Sequence, residues 1–196
     1  MAITNDALDT GKVVLTNLKY MKVIPYEDES GDTLGDKSFT FDTLLADSVS
    51  VQQDDNTVNS RDSETKDEPA LENTVLGSYQ IAATSLDVQD KILETMIGWT
   101  MGTTDTTVAY APTSYKPLYC MIIFAFNSTN KCFVAPKVKL NSKVVIASLK
   151  TSSGQIDIAG TAYAGKLTID STTVETPLAS VSDDKLETVV PALAGE

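Results

Sequence analysis

Residues 85–98, SLDVQDKILETMIG, are the one stretch of this chain that reads clearly as a helix. Leu86, Val88, Ile92, Leu93, Met96 and Ile97 recur at spacings that put them on one face of a 3.6-residue period. Ser85 or Asp87 can cap the start, because a short oxygen side chain accepts from the free N–H groups of the first turn. Gly98 can close the end in the left-handed conformation. Gln89, Asp90, Lys91, Glu94 and Thr95 fall on the opposite, solvated face. So short a helix is marginal alone, and its apolar face has to pack on something.

Everything around it reads as strand or turn. Val13–Ile24 is β-prone and stops at Pro25. In Leu44–Gln53, Leu45, Val49 and Val51 alternate with Ser48, Ser50 and Gln52. Its expected partner is Val75–Thr84, where Tyr79, Ile81 and Ala83 alternate with Ser78, Gln80 and Ala82. Leu118–Phe126 is apolar at every position, the mark of a central strand. Cys132–Leu140 carries Pro136, which cannot donate to a ladder, so an edge or a bulge is expected there. Val144–Leu149, Gln155–Tyr163 and Lys166–Asp170 complete the set. The expected fold class is therefore mainly β, a β-sandwich or barrel-like fold with one flanking α-helix over about 85–98. One domain would span 1–175, with an N-terminal arm at 1–11 and a C-terminal arm of little fixed structure at 176–196. Between two of the strands lies a long acidic loop, 54–74, far longer than a hairpin turn and hence a candidate functional segment.

At 196 residues the chain can bury a sizeable core. A net charge of −12 argues against adhesive binding to nucleic acid, which needs clustered Lys and Arg. There is no histidine, which removes the commonest general base and zinc ligand. Two cysteines, Cys120 and Cys132, are too few for a thiolate metal site. No catalytic residue, metal or cofactor is expected, and the chain is not expected to be an enzyme. No run is long enough to span a membrane, and the N-terminus lacks the pattern of a secretory signal.

Charge is distributed unevenly. The 54–74 loop holds Asp54, Asp55, Asp62, Glu64, Asp67, Glu68 and Glu72 against Arg61 and Lys66. From Lys131 to Lys150 there are five lysines (Lys131, Lys137, Lys139, Lys143, Lys150) and no carboxylate. A basic edge and an acidic loop in one chain suggest head-to-tail contact between copies, the kind of interface that generates rings or tubes; a solvated lysine face is the plainer alternative. The candidate interface residues are Asp54, Asp55, Arg61, Glu64, Asp67, Glu68, Leu71, Lys131, Lys137, Lys139 and Lys143, with Val58, Pro69 and Leu71 as apolar anchors.

The run LLADSVSVQQDDNTVNSRDSETKDEPALENTVLGSYQIAATSLDVQDKILETMIG resembles the tail tube (major tail) proteins of long-tailed bacteriophages. The shared pattern is a strand, a long loop, a returning strand, and a short helix ending in Gly. The later stretch FVAPKVKLNSKVVIASLKTSSGQIDIAGTAYAG also looks like the end of such proteins. The two together cover somewhat more than half of the chain, and the stretch before about Asp42 departs from the pattern. The resemblance implies a structural virion protein that assembles as stacked hexameric rings. DNA would pass through the lumen without specific binding, and the tape-measure and other tail proteins would be further partners. The protein would be made in the host bacterial cytoplasm and end in the virion tail. Ser48, Ser50, Gln52, Ser78 and Gln80, uncharged and polar, would line the lumen. The competing reading is a monomeric immunoglobulin-like binding or surface module.

Overall fold

The computed structural model describes residues 17–28, 33–63, 66–102, 109–114, 117–127, 130–146, 154–169 and 171–190, with backbone alone from 60 to 72. The chain forms β1 (Leu18–Pro25), β2 (Phe39–Phe41) and β3 (Ser50–Gln53), then β4 (Thr57–Ser63), β5 (Lys66–Val75) and β6 (Tyr79–Ser85). A single α-turn, Asp90–Ile92, runs on as a π-helix, Leu93–Ile97; the two together are α1. There follow β7 (Thr100–Met101), β8 (Ala109–Tyr110), β9 (Leu118–Phe126), β10 (Lys131–Leu140), β11 (Lys143–Val145) and β12 (Gln155–Tyr163). The last described elements are β13 (Gly165–Ile169), β14 (Thr172–Thr176), β15 (Ala179–Ser182), a 3-10 turn at Asp183–Lys185, and α2 (Leu186–Val189).

Nine of the described strands share one sheet, whose main path is β2-β1-β9-β10-β12-β6-β3, with β11 on β12 and β15 on β10. β9 lies between β1 and β10 and is buried on both faces. Cys120, Ile122 and Phe124 look into one core with Met21, Val23, Ile81, Ile156, Ile158 and the α1 residues Ile92, Leu93 and Met96. Met121, Ile123 and Ala125 look into a second core with Val134, Leu167, Val181, Leu186, Val189 and Val190. Alternation along one apolar strand thus feeds two cores, one on each face of the sheet.

β10 changes partner halfway. Lys131–Val134 pair with β15, and Lys137–Leu140 pair with β12. The register against β9 shifts between Ala135 and Val138, around Pro136. A residue with no N–H cannot continue a ladder, so the strand bulges where the sheet branches. The Tyr26 hydroxyl donates to the Pro136 carbonyl and satisfies an acceptor that the bulge frees. On β12, a Cβ at Gly160 would come within 2.7 Å of Val138 Cγ1 and 2.9 Å of Leu140 Cδ2. The strands lie this close only because Gly160 leaves that space to its neighbours.

Four expectations are corrected here. The fold is mostly β, but its sheets are not closed into a barrel or strongly curled, and the described residues carry two separate helices rather than one flanking helix. The helix expected over 85–98 starts only at Asp90, because Ser85 is held in β6 opposite Ile156 and bridges to Leu44. The Ser85 hydroxyl accepts from the Asp87 N–H, making a turn instead of a helix cap. The end comes where expected: Gly98 has φ 81°, and Trp99 N–H reaches the Leu93 carbonyl at 3.1 Å. The 54–74 stretch is not an irregular loop; β4 and β5 pair as a two-stranded sheet of their own. The segment after Thr176, expected as a loose arm, supplies β15 and α2 to the second core.

The hairpin between β9 and β10 sets Cys132 opposite Ala125 and Cys120 opposite Val138, so the two cysteines are free and apart. Burial pushes the Cys120 thiol far above its ordinary range. Cys132 is pushed up to about 12 by burial and by the Asp183 carboxylate, whose Oδ1 accepts from Sγ at 3.3 Å. Neither thiol forms the reactive thiolate near neutral pH. Alkylation at pH 8 is therefore expected to modify neither cysteine in native protein and both in urea. Rapid native modification, followed by mass spectrometry, would refute this packing.

Candidate functional site

Alternate residues of β6 and β12 point into the first core, and the residues between them form an exposed face with β3 and the second half of β10. The registers build rows across the strands. Gln52 lies opposite Gln80, Gln80 opposite Thr161, and Thr161 opposite Lys139. Beside that row lie Ser50, Ala82 and Ala159. Beyond Ser50, Ala82 and Ala159, Lys143 faces Asp157, which faces Thr84.

Side-chain hydrogen bonds tie the middle of the Gln80 row to Asp54. Thr161 Oγ1 donates to Gln80 Oε1 at 3.0 Å, and Gln80 Nε2 donates to Asp54 Oδ2 at 2.8 Å. The Ser78 hydroxyl donates to the same carboxylate oxygen at 2.7 Å. These bonds from Gln80 and then Ser78 hold the Asp54 carboxyl below its usual range, since they favour the charged form. At the end of β6, Asp157 accepts from Thr84 Oγ1 at 3.1 Å and pairs with Lys143 Nζ at 3.6 Å.

Of the proposed lumen residues, Ser50, Gln52 and Gln80 share this exposed face. Ser78 stands at its margin, bonded to Asp54. Ser48 is tied into the edge instead, donating to the Leu45 carbonyl at 2.7 Å and accepting from Thr84 N–H at 3.1 Å. The lysines do not form one edge. Lys137, Lys139 and Lys143 register with β12, on the same face as Gln80, and the Lys137 ammonium sits 5.7 Å from the Tyr119 ring. Lys131 pairs with β15 at the other end of β10, and Lys150 lies outside the described residues. Asp54 and Asp55 are exposed at the root of the β4–β5 hairpin. The side chains of Arg61, Glu64, Asp67, Glu68 and Leu71 lie outside the description.

The sequence reading missed a second feature, an open groove of about 690 Å³. Phe41 of β2, Leu18 of β1, Val51 of β3, Tyr79 of β6, Phe124 and Phe126 of β9 and Phe133 of β10 contribute to its walls, with Leu44, Leu45 and Val49 from the connection between β2 and β3. Phe126 and Phe133 meet edge to face, centroids 6.0 Å apart. The two ends of the strand order therefore both reach this groove, and no ladder joins them. Only the strand order brings β2 and β3 there, and no local spacing encodes that order.

Among the described residues, no group of three or more Asp, Glu, Cys or His side chains is placed to hold a metal ion, and no helix is long and apolar enough to cross a membrane. No protein-family profile matches the chain, and no curated protein matches it as a relative.

Proposed function

We propose that this chain is the structural subunit of a phage-type tail tube. Copies associate into rings, hexameric in the form the resemblance implies. The rings stack, and the exposed polar face lines a channel for DNA. The observation that carries this reading is the uncharged row Gln52–Gln80–Thr161, with Gln80 bonded to Thr161, on an open sheet face beside the β4–β5 hairpin. Uncharged amides and hydroxyls keep a wall wet without holding a polyanion. Lys137, Lys139 and Lys143 on the same face are offset by Asp54 and Asp157, within a chain of net charge −12. The tape-measure and other tail proteins are the further partners of this reading, and the virion tail is its location.

The β4–β5 hairpin is the assembly element. Among the described residues its two strands pair only with each other, so their outer edges and apolar root are available to another copy. Deleting Asn59–Pro69 is expected to leave a folded subunit that no longer forms rings or tubes by negative stain and light scattering. Normal tubes from that deletion would refute the role of the hairpin. A wild-type protein that stays monomeric at every concentration would refute the tube and favour a binding module.

A further inference from the structure

The groove opens where the described chain begins. Asn17, the first described residue, is part of its wall, with Leu18 and Lys19 beside it. Upstream, residues 10–16 read TGKVVLT, so the aliphatic run Val13, Val14, Leu15 stands two to four positions from that wall. Asn17 is also where the strand expected from Val13 is interrupted. Its φ of 58° is left-handed, a conformation that Asn tolerates better than most residues, and β1 starts only at Leu18. The Asn17 carbonyl accepts from the Asn127 N–H at 2.9 Å, which anchors this turning point just past the end of β9.

We propose that residues 12–16 fold back at Asn17 and close the groove of their own chain. The closure needs a single copy and stands apart from the self-assembly reading. Attachment selects this occupant first. Asn17 is already in the wall, so no linker has to be spanned, and four extended residues reach about 14 Å. A segment tethered so closely meets the groove at an effective concentration on the order of millimolar, which favours it over any free partner.

Charge selects it next. The groove holds the exposed carboxylates of Asp42 and Asp47 against one ammonium, that of Lys19. Residues 10–16 carry no carboxylate, and Lys12 is the only Lys or Arg among residues 1–16. The arriving segment thus brings a second ammonium for the second carboxylate and buries no acid. Exposed ion pairs add little affinity, so Lys12 sets the direction of the run. Val13 and Leu15, on one side of an extended segment, supply the apolar contact with walls that include Phe124, Phe126 and Phe133.

The full-length chain and the neutral apolar dye Nile red test this. A groove closed about nine-tenths of the time binds the dye about tenfold more weakly than an open one. The double substitution Val13→Asp and Leu15→Asp is therefore expected to tighten Nile red binding at least about tenfold, with a cooperative thermal melt retained. Adding Val51→Asp, in the groove wall and 38% exposed, should remove that gain. Equal dye affinity in wild type and the double variant, or a gain that survives Val51→Asp, would overturn the closure. Wild-type affinity that rises on dilution would place the segment of a second copy in the groove and overturn closure within one chain. Lys12→Glu, which leaves the aliphatic run intact, is the milder variant. It should also tighten dye binding, and more at low salt than at high; affinity unchanged from wild type at either salt would overturn the charge pairing.

Discussion

A chain ending at Thr176 is expected to lose cooperative folding. The deleted segment buries Val181, Leu186, Val189 and Val190 against Met121, Ile123, Val134 and Leu167. Burying such side chains contributes about 1.5–3 kcal/mol each, so the four together contribute about 6–12 kcal/mol. A domain has only about 5–15 kcal/mol in all. The deletion also strips β15 from Lys131–Val134 of β10 and removes the Asp183 carboxylate from the Cys132 thiol. What remains should keep strand signal in far-ultraviolet circular dichroism, bind hydrophobic dye and show no sharp thermal transition. A truncated chain that melts as sharply and as high as the full one would mean that the C-terminal segment is an ornament.

Phe124→Ala should be among the most damaging single substitutions. Phe124 is 1% exposed on the central strand, opposite Met21 on β1 and Phe133 on β10. Truncating a buried Phe costs about 3–5 kcal/mol through lost transfer energy and the cavity left behind. The groove adjoins this side chain, so neighbours can relax inward, and the lower end of that range is expected. The natural control is Glu94→Ala on the exposed side of α1, expected to change stability by less than about 0.5 kcal/mol. Urea unfolding at unchanged m-value reads both. Similar losses at the two sites would mean that the buried face has been misplaced.

Short-range periodicity made several parts of the fold readable. Leu118–Phe126 is apolar throughout, and it forms an interior strand buried on both faces. Gly98 stops α1, and Pro136 marks a bulge. The alternation of Ser50, Gln52 and Gln80 with apolar neighbours placed those three on one exposed face. In each case the deciding interaction lies within a few residues: a left-handed cap, a missing N–H, a two-residue repeat.

The errors fall where distant segments compete for the same residues. Ser85–Gln89 has helical periodicity, yet Ser85 is taken by a ladder to Ile156, seventy-one residues on in the chain. The 54–74 stretch looks like solvated loop because of its charges, but β4 and β5 pair with each other along their inner edges. LASVSDDKLETVV looks polar in sequence because its buried residues are few and spread over a strand and a single helical turn. It gains stability only because the apolar half of β10 lies open to receive it. The groove, and the sharing of one face by Gln80 and Lys139, follow from which strands became neighbours. That order is set by burying β9 on both faces at once, a long-range condition that no local pattern encodes.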